Sequence, residues 1–138
     1  MVPARHQGFN MNTSLTSRIL SRNTLTWTLQ GLLAVVFLMH GLMFLNPPPE
    51  IAALMNANMP RWFQLFLGVA EVAAAAGLTL PALTRILPFL VVWAACGTMI
   101  VVGSATIWHI VRAEYSSAAI TAVLFATATF VARGRRRQ

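Results

Sequence analysis

The sequence predicts an all-α membrane protein: a four-transmembrane-helix antiparallel bundle, with a short interfacial helix between spans one and two. Three observations carry that expectation. Hydrophobic residues make up 57% of the chain and charged residues only 9%, a balance far from that of a soluble domain. With His counted as neutral, no charge lies between Arg22 and Glu50, between Arg85 and Arg112, or between Glu114 and Arg133. The apolar runs are continuous rather than alternating, which specifies helices that satisfy their own backbone groups in lipid and not strands of a barrel.

Span one is expected near Thr24 to Leu45, span two near Arg61 to Leu80, span three near Arg85 to Trp108 and span four near Ser116 to Ala132. Each comes close to the ~20 apolar residues that cross a hydrocarbon core of roughly 30 Å. Ahead of them, residues 1–22 read as a mobile basic tail; residues 23–133 form a single transmembrane domain, and 134–138 an arginine-rich tail. The apolar stretch ending at Leu45 exceeds a signal-peptide core and lacks a small-residue cleavage site, so it is expected to stay in the protein.

Between spans one and two, Pro47, Pro48 and Pro49 stop the first helix by removing donors and fixing φ. Glu50 then opens EIAALMNAN, in which Ile51, Leu54 and Met55 fall at helical spacing and suit a helix lying on the membrane surface. Such a segment either caps the outer mouth of the bundle or merely links two spans. Pro60 precedes span two, where first-turn amides have no partner to lose.

The net charge of +7 is ten arginines against three acidic residues, and the arginines are distributed by topology rather than gathered on one face, so no nucleic-acid partner is expected. Arg5, Arg18, Arg22, Arg85, Arg133, Arg135, Arg136 and Arg137 fall on one side, and only Arg61 and Arg112 on the other. By the positive-inside rule both termini are cytoplasmic. The basic tail is suited to anionic headgroups at roughly 1 kcal/mol per arginine, beside its simpler use as a topology signal. Trp27 and Trp62 fit interfacial anchors and Trp108 marks the outer end of span three, whereas Trp93 lies inside it.

Glu71 is the residue most expensive to keep, a lone carboxylate ~15 Å below Arg61 and near the bilayer midplane. Helical spacing puts Gly68, Glu71 and Ala75 on one face, with Gln64 a turn further out and Leu78 a turn further in. Small residues there admit a close neighbouring helix, so the carboxylate points into the bundle and needs a partner from protein, ligand or water. Partner candidates are drawn from His40, Gln64, Cys96, His109 and the Thr and Ser of the spans. His40, ~7.5 Å from the outer end of span one, is the best placed. Thr98, nearer the midplane, is a hydroxyl donor to either, and His109 sits near the outer interface where an imidazole stays wet. For His40 and Glu71 alike, a structural hydrogen bond within a helix interface is the simpler alternative to a functional role.

Several separated segments resemble the DoxX-like family of small four-helix membrane proteins over roughly residues 27–133. They are FLMHGLMFL in span one, Pro60 followed by WFQLFLGVAEVAAAAGLTLP with its G-x-x-E, the span-three ending IWHIVRAE, and the closing TATFVARGRR. The resemblance implies a compact bundle in a bacterial-type cytoplasmic (inner) membrane, with Glu71 and His109 at recurrent positions of spans two and three. Some members of that family resemble subunits of thiosulfate and quinone-linked oxidation or of other membrane redox complexes, and many have no assigned activity. One departure is that Phe44 stands about where relatives often carry a basic residue, so a mechanism requiring that cation does not transfer.

Self-sufficient redox machinery is not written in the residues. Cys96 is the only cysteine, which leaves no internal disulfide, no C-x-x-C site and no single-chain cysteine-ligated cluster. A quinone-binding subunit needs less: an apolar groove with a carboxylate and an imidazole, which Glu71 and His40 supply. Haem b between His40 and His109 is disfavoured because His109 lies too near the interface. Two other classes remain open. One is a non-enzymatic binding or transport module for a lipid or small amphiphile. The other is a structural subunit of a larger membrane complex, packed through small residues such as Ser116, Ser117, Ala118, Ala119, Ala122, Ala126 and Ala128 of span four.

Overall fold

The computed structural model describes residues 8–136, with side chains from Arg22 onward. Residues 1–7 and 137–138, the outer parts of the two expected tails, lie outside the described residues. Five helices follow one another: α1 (Gly8–Leu45), α2 (Pro49–Asn58), α3 (Arg61–Thr84), α4 (Phe89–Val111) and α5 (Tyr115–Arg135). No strand occurs among the described residues. The stretches Arg22–Leu45, Arg61–Thr84, Phe89–Val111 and Tyr115–Arg135 are each long and apolar enough to cross a membrane.

The boundaries differ from expectation in three places. α1 starts at Gly8, inside the expected tail, because no proline follows before Pro47 and extending an existing helix is far easier than nucleating one. α3 runs through Pro81 to Thr84, and α4 begins at Phe89 rather than Arg85. The turn between them takes up Arg85 (φ 58°) and Leu87 (φ 53°) in left-handed conformation, followed by Pro88, and a helix cannot pass through such residues. The surface helix, expected from Glu50, begins one residue earlier at Pro49 and buries no residue. Ile51 and Leu54 stay exposed on it.

The spanning helices form a ring in which α1 packs on α3 and α5, and α4 packs on α3 and α5. Each commits only a narrow stripe to the interior. On α1 it is Thr26, Gln30, Leu33, Ala34, Phe37 and Gly41; on α3 it is Gln64, Gly68, Glu71, Ala75, Leu78 and Pro81. From Gln64 to Leu78 the α3 stripe is the face read from the sequence, and Pro81 extends it beyond the expected end of the span. α4 contributes Val91, Ala95, Thr98 and Val102, and α5 contributes Ala118, Ala128, Val131 and Ala132. Leu32, Met39, Phe66, Trp93, Ile100 and Ile107 point outward, as lipid-facing side chains should. The small residues of span four divide between faces: Ala118 and Ala128 turn inward, while Ala119, Ala122 and Ala126 are exposed.

Antiparallel packing puts the end of α1, the start of α3, α2 and the α4–α5 turn together, here called the loop end. The α3–α4 turn and the end of α5 gather at the opposite, tail end, where Gly134 lies against Thr26. Pro81 removes the amide that would bond the Gly77 carbonyl and loosens α3 locally. The Gln30 amide donates to the neighbouring Leu78 carbonyl at 2.5 Å, supplying a polar contact where lipid offers none.

Candidate functional site

α1 and α3 cross where two glycines meet. A Cβ on Gly41 would stand 2.9 Å from the Gly68 carbonyl oxygen, and one on Gly68 would stand 2.9 Å from the Gly41 carbonyl oxygen. Only hydrogen fits between the two backbones at this point. Taking the glycines as level, His40 lies ~1.5 Å and Glu71 ~4.5 Å deeper from the loop end. Side chains tilt toward the N-terminus of their own helix, so on antiparallel helices His40 leans down and Glu71 leans up, closing that ~3 Å offset.

The result is a hydrogen bond of 2.7 Å between His40 Nδ1 and Glu71 Oε2. The pair is asymmetric in exposure, the Glu71 side chain being 5% and the His40 side chain 49% exposed. The carboxylate is thus inside the bundle while the imidazole reaches its flank. The Phe44 ring meets the imidazole edge-on at 4.8 Å and holds its plane. Phe44 occupies the position noted above for its missing basic side chain, but a cation arrives from α3: Arg61 donates to the Phe44 carbonyl at 2.9 Å and to the Leu45 carbonyl at 2.7 Å. These are last-turn carbonyls of α1, which have no helical donor of their own.

Gln64 closes the site from above. Fully buried, its amide donates to Asn56 Oδ1 at 3.0 Å and to the Met59 carbonyl at 2.8 Å, and its oxygen accepts from Arg61 at 3.2 Å. The C-terminal end of α2 is therefore tied down over α3, and Asn58 Oδ1 accepts from Arg112 at 2.9 Å across to the α4–α5 turn. Of the two expectations for this segment, a cap describes that end better than a mere linker.

Thr98 and His109 are placed elsewhere. Thr98 is completely buried on α4, but among the described residues its hydroxyl finds no hydrogen-bond partner and reaches neither His40 nor Glu71. An orphaned buried hydroxyl costs about 1–3 kcal/mol, so Thr98→Val is expected to leave the thermal unfolding midpoint unchanged or raise it. A clear loss of stability would show that the hydroxyl has a partner.

His109 belongs to a turn. Its Nδ1 lies 2.7 Å from Glu114 Oε2, Arg112 Nε donates to Glu114 Oε1 at 2.8 Å, and the Arg112 guanidinium sits 5.7 Å from the Trp108 ring. Ala113, with φ 59°, makes the sharp bend that folds Glu114 back. The His-x-x-Arg-x-acid ending thus fastens α4 to α5, and His40 and His109 are committed to different carboxylates. Arg112 first, and His109 after it, hold Glu114 below its ordinary value of 4.5. A depressed carboxyl stabilises the fold above that value, and the contribution is lost as pH falls through the folded pKa. Melting of wild type and Glu114→Gln should accordingly differ at neutral pH and converge below 4.5, the difference staying small because the group is screened by solvent.

A further cluster, which the sequence reading passed over, sits at the tail end. Arg135 donates to Gln30 Oε1 at 2.6 Å and lies 4.1 Å from the Trp27 ring centroid. The signal was available in Gln30, an amide within span one that was not among the partner candidates. Its mate, 105 positions away, was not deducible from spacing.

The geometry defines a small multi-pass membrane protein: four spanning helices, a capping segment, and an internal histidine–carboxylate pair at a glycine crossing. The model of the DoxX-like family matches residues 28–131, and the chain belongs to that family. No curated protein and no solved structure matches it.

Proposed function

We propose that this DoxX-like protein is a subunit or accessory protein of a membrane redox system, quinone-linked, in a bacterial-type inner membrane with both termini cytoplasmic. The observation that carries this reading is the His40–Glu71 pair, whose inner member is buried and whose outer member is half exposed on the bundle's flank. A 2.7 Å contact accommodates the proton on either side, as imidazole N–H to carboxylate or carboxyl O–H to imidazole. A proton delivered to Nε2 of the exposed imidazole can therefore leave Nδ1 for Glu71, and the reverse. That is what a quinol needs when it releases its hydroxyl protons, its two electrons passing to a partner subunit. A lipid-dissolved quinol reaches His40 laterally, through the bilayer, without crossing the capped loop end.

Native mass spectrometry of the protein, gently solubilised from its own membrane, tests the reading first. A retained quinone or a redox partner chain supports it, and Glu71→Gln should then remove turnover while the complex still assembles. A retained amphiphile without partners points instead to a binding or transport module. For topology, single cysteines replacing Asn58 and Gln138 in a Cys96-free background should label from opposite sides; labelling of both from one side refutes the even number of spans.

A further inference from the structure

At the tail end a half-open cleft of about 820 Å³ lies on the flank of the bundle, lined from α1, α3, α4 and α5 and from the α3–α4 turn. Its lining has two chemistries. Arg85, Arg135 and Arg136 supply positive charge, while Val92, Trp93 and Cys96 form an apolar wall. From Phe89, the first residue of α4, to Cys96 that wall descends ~10 Å into the span. The cationic part lies at span ends, where headgroups reside, and the apolar part at the depth of the first acyl carbons.

Among the described residues, side-chain charge at this end is one-sided. The chain's three acids are Glu50 on α2, Glu114 at the α4–α5 turn and Glu71 within α3, and none lines the cleft. Arg135 is fastened by Gln30 and stacked on Trp27, so one wall is fixed before any ligand arrives. Arg85 and Arg136 make no side-chain hydrogen bond or ion pair among the described residues. Arg85 projects from a turn whose left-handed residues keep it at the rim.

We propose that this cleft binds one anionic phospholipid, with the headgroup phosphate held by Arg85 and Arg136 and the upper part of an acyl chain against Val92, Trp93 and Cys96. A guanidinium pair suits a phosphate through paired N–H donors, and the apolar continuation selects a lipid over a free anion. The volume lies within the range of small-molecule pockets, enough for a headgroup and part of one chain. The site is separate from the His40–Glu71 pair and stands whether or not that pair handles a quinol.

The test uses the full chain in nanodiscs of zwitterionic phosphatidylcholine carrying graded phosphatidylglycerol, with native mass spectrometry of lipid retained after release. One phosphatidylglycerol should be retained per chain. Arg85→Gln with Arg136→Gln should lower its retention about tenfold or more. Arg22→Gln with Arg133→Gln removes the same charge outside the cleft and should leave retention intact. Cys96→Phe, which fills the apolar wall with every arginine present, should also reduce it, and so tests the site independently if the arginine variant misfolds. Equal loss in both arginine pairs would reduce the effect to general surface charge and overturn the site. Full displacement by inorganic phosphate, with Cys96→Phe inert, would overturn the lipid assignment.

Discussion

Gly68→Ala is expected to destabilise the protein by about 3 kcal/mol, the upper part of the range for overfilling a packed interface. The added methyl would lie 2.8 Å from Leu45 Cγ and 2.9 Å from the Gly41 carbonyl oxygen. Leu45 can turn aside, but the Gly41 carbonyl belongs to the α1 backbone, so relief requires the two helices to separate. Separation also lengthens the 2.7 Å His40–Glu71 bond, making stability and the site fail together. Gly31→Ala is the control, because a Cβ there meets nothing within 4 Å and alanine favours the helix by up to ~1 kcal/mol. Thermal unfolding in detergent distinguishes the two; equal midpoints would mean that the helices do not cross at the glycines.

His40→Ala should cost about 3 kcal/mol, because it leaves the Glu71 carboxylate inside the bundle with no donor from α1. Adding Glu71→Leu to that variant should recover most of the loss, since an apolar side chain of similar length needs no partner. The recovery is the informative quantity: two substitutions that share one interaction are non-additive, and a double-mutant cycle isolates the coupling. Strict additivity would show that the imidazole and the carboxylate do not depend on one another in the membrane. Retained function in the restored double variant would assign the pair to structure and withdraw the proton-transfer proposal.

Much of the site was legible before folding was considered. Gln64, Gly68, Glu71, Ala75 and Leu78 recur at helical spacing, and in a spanning helix that spacing alone identifies the inward face. Depth brought His40 only to within about two helical turns of Glu71, because antiparallel spans give each residue an approximate level and the tilt of the two side chains toward each other is not part of that level. Thr98 passed the same depth test and failed in space, since depth says nothing about which way a side chain on another helix is turned. His109 was legible as an interfacial residue but not as a turn clasp. That role depends on Ala113 adopting φ 59°, a conformation uncommon for alanine.

Composition and charge spacing determined by themselves that this chain is a four-helix membrane protein, because lipid permits few solutions for a backbone with no water to bond. The helical spacing of Gln64, Gly68, Glu71, Ala75 and Leu78 likewise determined which face of α3 is buried. Only the tertiary structure decided that Arg61 seals the end of α1, that α2 is tied over the site through Gln64, and that Arg135 meets Gln30 at the opposite end. These are contacts between helices, set by rotation about each axis and by how closely glycines let two backbones approach. Hydropathy is a property of one segment at a time and does not contain that information.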